Sequence, residues 1–153
     1  MLYDDLIKAA EQHGIDICEK PLVSTIKGLY ADGCIWINRN IPTRAEKACI
    51  LAEELGHYHT SAGDMIDLSD IRNRKQERRA RAWAYEEVVP LSKIVQAHYD
   101  HVTHRYDLAE YLGVTEPFLQ AALDRYREKY GTYTVIDNHI IYFDPLGVAK
   151  IFE

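Results

Sequence analysis

Residues 51–60 of this chain read LAEELGHYHT, and their apolar and charged positions recur with the period of an α-helix. Glu53 and His57 are four residues apart, so their side chains share one face of that helix. Glu54 follows on the neighbouring flank of the same helix. The stretch therefore predicts a helix that presents two carboxylates and an imidazole close together.

A second strong helical pattern, QERRARAWAYEEVVP at residues 76–90, follows the first. We expect its helix to run from about residue 73 to 89 and to end at Pro90, because proline cannot continue a helix. Glu77 lies near its beginning. Small residues on this helix would let a neighbouring helix approach closely: Ala80, Ala82 and Ala84.

The two predicted helices suggest a metal site with an open position. One helix offers a pair of donors, Glu53 and His57, and the other offers Glu77. Three protein ligands leave one position free for a water, whose pKa a metal lowers. Glu54 stands where the general base of a His-Glu-x-x-His peptidase stands, so we expect it to take the proton of that water.

LAEELGHYHT followed by E-x-x-A-x-x-W-A-x(5)-P resembles the ImmA/IrrE family of metallo-endopeptidases, over roughly residues 15–130. The resemblance implies a gluzincin-like α+β metalloprotease domain in which His57 and Glu77 are metal ligands and Glu54 is the catalytic base. It also implies a repressor-type regulatory protein of a phage or mobile element as the substrate.

This chain departs from the family pattern at two positions. Glu53 replaces the first histidine of the motif, although a carboxylate there still reaches a metal. Arg81 stands where the family often has Asn or Asp. With Glu53, His57 and Glu77 as ligands, Zn²⁺ is the leading candidate, and the two carboxylates shift the preference toward harder ions such as Mn²⁺ or another divalent metal.

The remaining elements predict an α+β fold with a small β-sheet, two site helices and a helix-turn-helix-like C-terminal helical segment. A helix over residues 3–12 and a strand over 15–20 precede a hairpin at 25–38 with its turn at Asp32–Gly33. Further expectations are a capping box at Thr43-x-x-Glu46, a loop over the site at 60–72, a helix at 91–101, helices on either side of a turn before Thr115, and a hairpin around Asp137–Asn138.

We expect one metallopeptidase-like domain over residues 1–153, with a catalytic core at 15–90 and a helical segment and hairpin at 91–153. The net charge of −6 argues against direct nucleic-acid binding through phosphates. No apolar run predicts a membrane span or a signal peptide. Three cysteines without C-x-x-C spacing fit a reduced, cytoplasmic setting. The sequence makes no prediction of oligomeric state.

Several patterns have simpler interpretations that stay open. Adjacent glutamates are common on solvated helices, and Glu77 has Arg81 as an i, i+4 ion-pair partner. The histidines of HYDHVTH, at 98, 101 and 104, fit a solvated helix end better than a second metal site. Within the helix-turn-helix-like segment, Glu116 and Asp124 disfavour insertion into a major groove.

The leading hypothesis is a cytoplasmic, metal-dependent endopeptidase of a prophage or similar element that cleaves a repressor. The alternative is a catalytically silent protease-fold module that binds a repressor or DNA as a regulator. Replacement of the motif histidine by Glu53 favours the alternative, and the second-helix pattern favours the enzyme.

Overall fold

A computed structural model describes residues 1–31, 33–60 and 72–152 of the chain. Within these ranges it contains six helices and six strands. The helices are α1 (Leu2–Gln12), α2 (Arg44–Thr60), α3 (Arg72–Val88), α4 (Leu91–Tyr99), α5 (Arg105–Leu112) and α6 (Glu116–Tyr130). The strands are β1 (Asp16–Lys20), β2 (Gly28–Ala31), β3 (Cys34–Asn38), β4 (Tyr133–Ile136), β5 (His139–Phe143) and β6 (Leu146–Lys150). None of the helices in the described part of the chain is long and apolar enough to cross a membrane.

The chain divides into two compact units, Met1–Ala84 and Tyr85–Glu153, and the division falls within α3. In the first unit, β1, β3 and β2 form a sheet in that order. β1 runs parallel to β3, and β2 runs antiparallel to it. The helices α1 and α2 pack on this sheet, where Ile35 and Ile37 of β3 are fully buried. β2 is therefore an edge strand beside α2.

The second unit packs α4, α5 and α6 with an antiparallel sheet in the order β4, β5, β6. Its core is rich in aromatic rings: Tyr126 stacks on Tyr130 and on Phe143. The Tyr126 hydroxyl donates a hydrogen bond to the Val89 carbonyl at 2.7 Å. Burial of this hydroxyl raises the pKa of Tyr126 well above its usual value.

The α+β class predicted from the sequence is confirmed, and so is the order of the main elements. The second sheet contains the predicted C-terminal hairpin and a third strand, β6, which was not predicted from the sequence. Asp32 of the predicted turn and residues 61–71 of the predicted loop lie outside the described residues. The single-domain boundaries, 1–153 with a core at 15–90, stay a prediction.

Candidate active site

The helix α2 carries three of the candidate site residues and is well defined at its beginning. Thr43 Oγ1 accepts a hydrogen bond from the Glu46 amide at 3.1 Å, which is one half of the predicted capping box. Six apolar residues and His57 are buried along the helix, whereas Glu53 and Glu54 are half-buried. Because the apolar face is held against the sheet, the positions of these two carboxylates and His57 are set by the packing of α2.

Helix α3 lies against α2 at a contact between their backbones. A Cβ added at Gly56 would overlap the Ala80 carbonyl and would lie 3.0 Å from the Ala80 Cα. Ala80 is itself fully buried. The sequence predicted that small residues of α3 permit this approach, but it did not single out Gly56 on the opposite helix. The contact lets a glutamate side chain of α3 reach α2.

Glu77 joins the two helices through both of its carboxylate oxygens. Its Oε2 lies 2.9 Å from His57 Nε2, and its Oε1 lies 3.2 Å from Arg81 Nε. The His57 side chain is 10% exposed, whereas that of Arg81 is 51% exposed. Glu77 therefore forms the ion pair with Arg81 that the spacing allows, and it also contacts His57, with which it is predicted to share a metal.

The imidazole of His57 keeps unused hydrogen-bonding capacity. Its Nδ1 is buried and has no hydrogen-bond partner among the described residues. A buried polar atom without a partner is uncommon and costs free energy, so such atoms often mark functional sites. When a histidine binds a metal through one ring nitrogen, its other ring nitrogen usually forms a hydrogen bond with a carboxylate or a carbonyl. No described residue supplies that hydrogen bond to His57 Nδ1.

The two glutamates of α2 lie in an environment that favours their neutral forms. Burial raises the pKa of Glu54 to about 7, with the negative charges of Glu53 and Glu77 adding to the effect. Burial also raises the pKa of Glu53, and Arg81 is the group that opposes this shift most. The negative charges of Glu53 and Glu77 thus act on Glu54, and Arg81 is the positive group with the largest effect on Glu53.

The edge strand β2 passes directly beside Glu54. A Cβ added at Gly28 would lie 2.9 Å from the Ile50 Cγ2 and 3.4 Å from the Glu54 Cγ. Only a glycine allows this strand to lie so close to α2 without displacement. The sequence predicts that residue 28 lies in a hairpin arm, but it does not predict that this residue is close to the site. A glycine inside a strand pattern can indicate such a close approach of the backbone.

Other histidines and cysteines of the described residues have other neighbours. His59 is exposed and stacks on Trp83 with ring centroids 4.6 Å apart. In the second unit, His98 lines a cavity of about 200 Å³ whose wall includes Ile94 and Leu108. Cys18 and Cys34 are free thiols of the first sheet, with their sulfur atoms 3.4 Å apart. None of these positions adds a ligand to the Glu77 cluster.

These features define a peptidase-like domain: an α+β unit whose sheet supports a site helix, with a histidine and several carboxylates drawn together by a second helix. The family model of the IrrE N-terminal-like domain, Peptidase M78, matches residues 10–124, and the chain belongs to this family. The resemblance inferred from the two helical motifs is thus confirmed, and it points to a peptidase. A search of the curated proteins gave no match.

The family implies a divalent metal, usually zinc, and the donor types at the site fit such an ion. Two donors on one tetrahedral zinc lie about 3.3 Å apart, and His57 Nε2 and Glu77 Oε2 lie at 2.9 Å, close to that spacing. In the described ranges no three His, Cys, Asp or Glu side chains are arranged as a complete metal site. The pair is nearly placed for a shared ion.

Proposed function

We propose that the chain is a metal-dependent endopeptidase that cleaves a repressor-type regulatory protein of a phage or mobile element. The observation that carries this proposal is the His57–Glu77 pair, in which an imidazole nitrogen and a carboxylate oxygen from two helices meet at 2.9 Å beside Glu54. The membership of the peptidase family supports it. A surface ion pair would not need a nearly buried histidine held by a backbone contact between helices.

In this proposal Glu53, His57 and Glu77 hold the metal, which when bound supplies a Lewis acid that polarises a carbonyl and acidifies a water. Glu54 accepts the proton of the attacking water at a carboxylate oxygen and delivers it to the leaving amine. Glu53 and Glu77 bring two negative charges, which favour a divalent cation between the helices. Burial of Glu54 raises its pKa to about 7, which suits a group that first accepts and then donates a proton near neutral pH.

The edge strand β2 supplies a place for an extended substrate segment. Among the described strands, β2 pairs only with β3. The N–H and C=O groups along its other edge are therefore open to pairing with a peptide. Gly28 places this strand against the Glu54 side chain. We therefore expect the substrate to add to the sheet as a further strand with its scissile bond near Glu54.

The decisive variant is Glu54→Gln, tested by co-expression with a helix-turn-helix repressor encoded beside the gene and then with purified proteins. We expect cleavage to fall at least a hundredfold, because general-base catalysis contributes about 10²–10⁴ in rate. Bound metal, measured by elemental analysis of the purified variant, should be unchanged because Glu54 is not a ligand. Intact-mass measurement of the repressor fragments identifies the cleaved bond.

The matched control is Glu87→Gln, which removes the same charge from an exposed position of α3. It should cleave like the wild type. Cleavage by the Glu54→Gln variant at the wild-type rate would refute the role of Glu54. A His57→Ala variant that retains as much metal as the wild type would refute the ligand set.

A second candidate is a catalytically silent module that binds a repressor or DNA. The observation in its favour is that both oxygens of Glu77 are already engaged, one by His57 and one by Arg81. A wild-type protein that binds the repressor without metal and without cleavage would establish it. DNA binding would be recognised by a steep decrease in affinity with added salt.

A further inference from the structure

We propose that Arg81 competes with the divalent metal for the Glu77 carboxylate and so weakens the metal affinity of this chain. The inference rests on the proposed function, since it concerns the same ligand set. It adds a residue outside that set, and it predicts that affinity for metal is set by a cation that the protein itself supplies.

The geometry of Glu77 is the first argument. Arg81 Nε lies 3.2 Å from Oε1, and His57 Nε2 lies 2.9 Å from Oε2, so the carboxylate is held between two donors. A metal that binds Oε2 together with His57 takes the place of the His57 contact, while Arg81 still draws on the negative charge of the same carboxylate through Oε1. The ion then lies between Glu77 and His57, whereas the guanidinium of Arg81 keeps a positive charge close to that ion.

The charge distribution is the second argument. Arg81 is also the positive group with the greatest influence on Glu53, ahead of Lys27. One guanidinium thus acts on both carboxylates that would neutralise a divalent cation. With Arg81 in place, the ligand set and its nearest cation carry a net charge of about −1 in place of about −2, which reduces the attraction for a divalent ion.

The ordinary interpretation of the pair is an i, i+4 ion pair that stabilises α3. Such pairs contribute only about 0.2–0.5 kcal/mol to a helix. Arg81 is half-exposed, so its side chain can leave Glu77 for solvent at little cost. The two interpretations therefore differ in the quantity that changes: the ion-pair interpretation predicts a small change in stability, and competition predicts a change in metal affinity.

The test measures Zn²⁺ and Mn²⁺ dissociation constants by titration against a chromophoric chelator, for the wild type and for Arg81→Gln, Arg81→Lys and Arg78→Gln. We expect Arg81→Gln to bind metal about tenfold more tightly, since a unit charge close to a divalent ion is removed. Arg81→Lys keeps the charge and should stay close to the wild type. Arg78→Gln removes a charge from an exposed position of the same helix and should change the affinity less than twofold.

The outcomes distinguish failure of this inference alone from failure of the proposed metal dependence. If Arg81→Gln and Arg78→Gln match a wild type that binds metal, the competition is refuted and the metal site stands. If Arg81→Gln binds more weakly than the wild type, Arg81 positions Glu77 for the metal, and the inference is again overturned. If neither the wild type nor Arg81→Gln binds metal, while circular dichroism shows both folded, the inference and the metal dependence fall together.

Discussion

His57 in the first unit and Tyr126 in the second are both nearly fully buried, and both carry polar atoms into a helical core. Tyr126 has one hydroxyl, which donates to the Val89 carbonyl at 2.7 Å. His57 has two ring nitrogens, of which Nε2 meets Glu77 and Nδ1 has no described partner. The buried hydroxyl of Tyr126 is satisfied by its hydrogen bond, whereas His57 keeps a buried ring nitrogen that is available to a further partner.

The same contrast holds for the way the helices are packed. In the second unit large rings fill the space, with Tyr126 and Phe143 stacked at 5.7 Å between centroids. In the first unit α2 and α3 meet backbone to backbone at Gly56 and Ala80, with no side chain between them. Close approach is what allows Glu77 to reach His57. The absence of a side chain at residue 56 is thus a requirement of the site.

Gly56→Ala should have the largest effect on stability. The added methyl group would overlap the Ala80 carbonyl, which is backbone and cannot rotate away. We expect a loss of about 3 kcal/mol in the free energy of unfolding, at the upper end of overpacking effects. Urea denaturation followed by tryptophan fluorescence measures it, because Trp36 and Trp83 both lie in the first unit.

The control for this substitution is Gly147→Ala in β6. A Cβ at Gly147 would meet nothing within 4 Å. Its effect should be within about 0.5 kcal/mol, as for most surface substitutions. Equal midpoints for the two variants would contradict the backbone contact between α2 and α3, and with it the explanation of how Glu77 reaches its partner.

Tyr126→Phe tests the opposite side of the comparison. It removes one hydroxyl and leaves the Val89 carbonyl without its buried donor, so we expect a loss of about 1–2 kcal/mol. The measurement is the free energy of unfolding from urea denaturation followed by far-UV circular dichroism. Tyr133→Phe, at a half-exposed ring of β4, is the control and should change it by less than about 0.5 kcal/mol.

The pH dependence sharpens this prediction. Burial raises the pKa of Tyr126 above that of the unfolded chain, so its contribution to stability is complete below pH 10 and is lost as the pH rises toward the folded pKa. The wild type should therefore lose more stability than Tyr126→Phe between pH 9 and 11. Parallel curves for the two proteins would show that the hydroxyl is not buried against Val89.

Much of the two site helices, α2 and α3, follows from local patterns in the sequence. The helical period placed Glu53 and His57 on one face of α2, and the capping box placed its first residue within one position. Pro90 marked the end of α3. These predictions succeed because caps, periods and prolines act within a few residues and need no knowledge of the tertiary fold.

The interactions that complete the site are not local, and the sequence did not reveal them. Gly56 reads as a weak helix residue until Ala80, twenty-four positions later, is known to pack against it. For Glu77 the sequence left open a metal-ligand role and an ion pair with Arg81, and only the distances show that its two oxygens contact His57 and Arg81. β6 was missed because Gly147 and the preceding Asp144–Pro145 interrupt a short apolar run.

The smallest predicted difference compares the N-caps of α2 and α6, one helix from each unit. Thr43 Oγ1 accepts the Glu46 amide at 3.1 Å in an exposed position, and Thr115 Oγ1 accepts the Phe118 amide at 3.2 Å in a partly buried one. Loss of a cap costs about 0.5–2 kcal/mol, and water replaces an exposed cap more easily. Thr115→Ala should therefore be more destabilising than Thr43→Ala, by about 0.5 kcal/mol.

Replacement by serine provides the control, because serine keeps the accepting oxygen and caps a helix as well as threonine. Thr43→Ser and Thr115→Ser should each restore the urea midpoint of the wild type. If Thr43→Ala were the more damaging variant and Thr43→Ser failed to restore it, the threonine methyl group, rather than the cap, would stabilise α2. The site helix would then depend on packing at its first turn, as α6 does at Phe118, and the contrast between the two units would not extend to their helix ends.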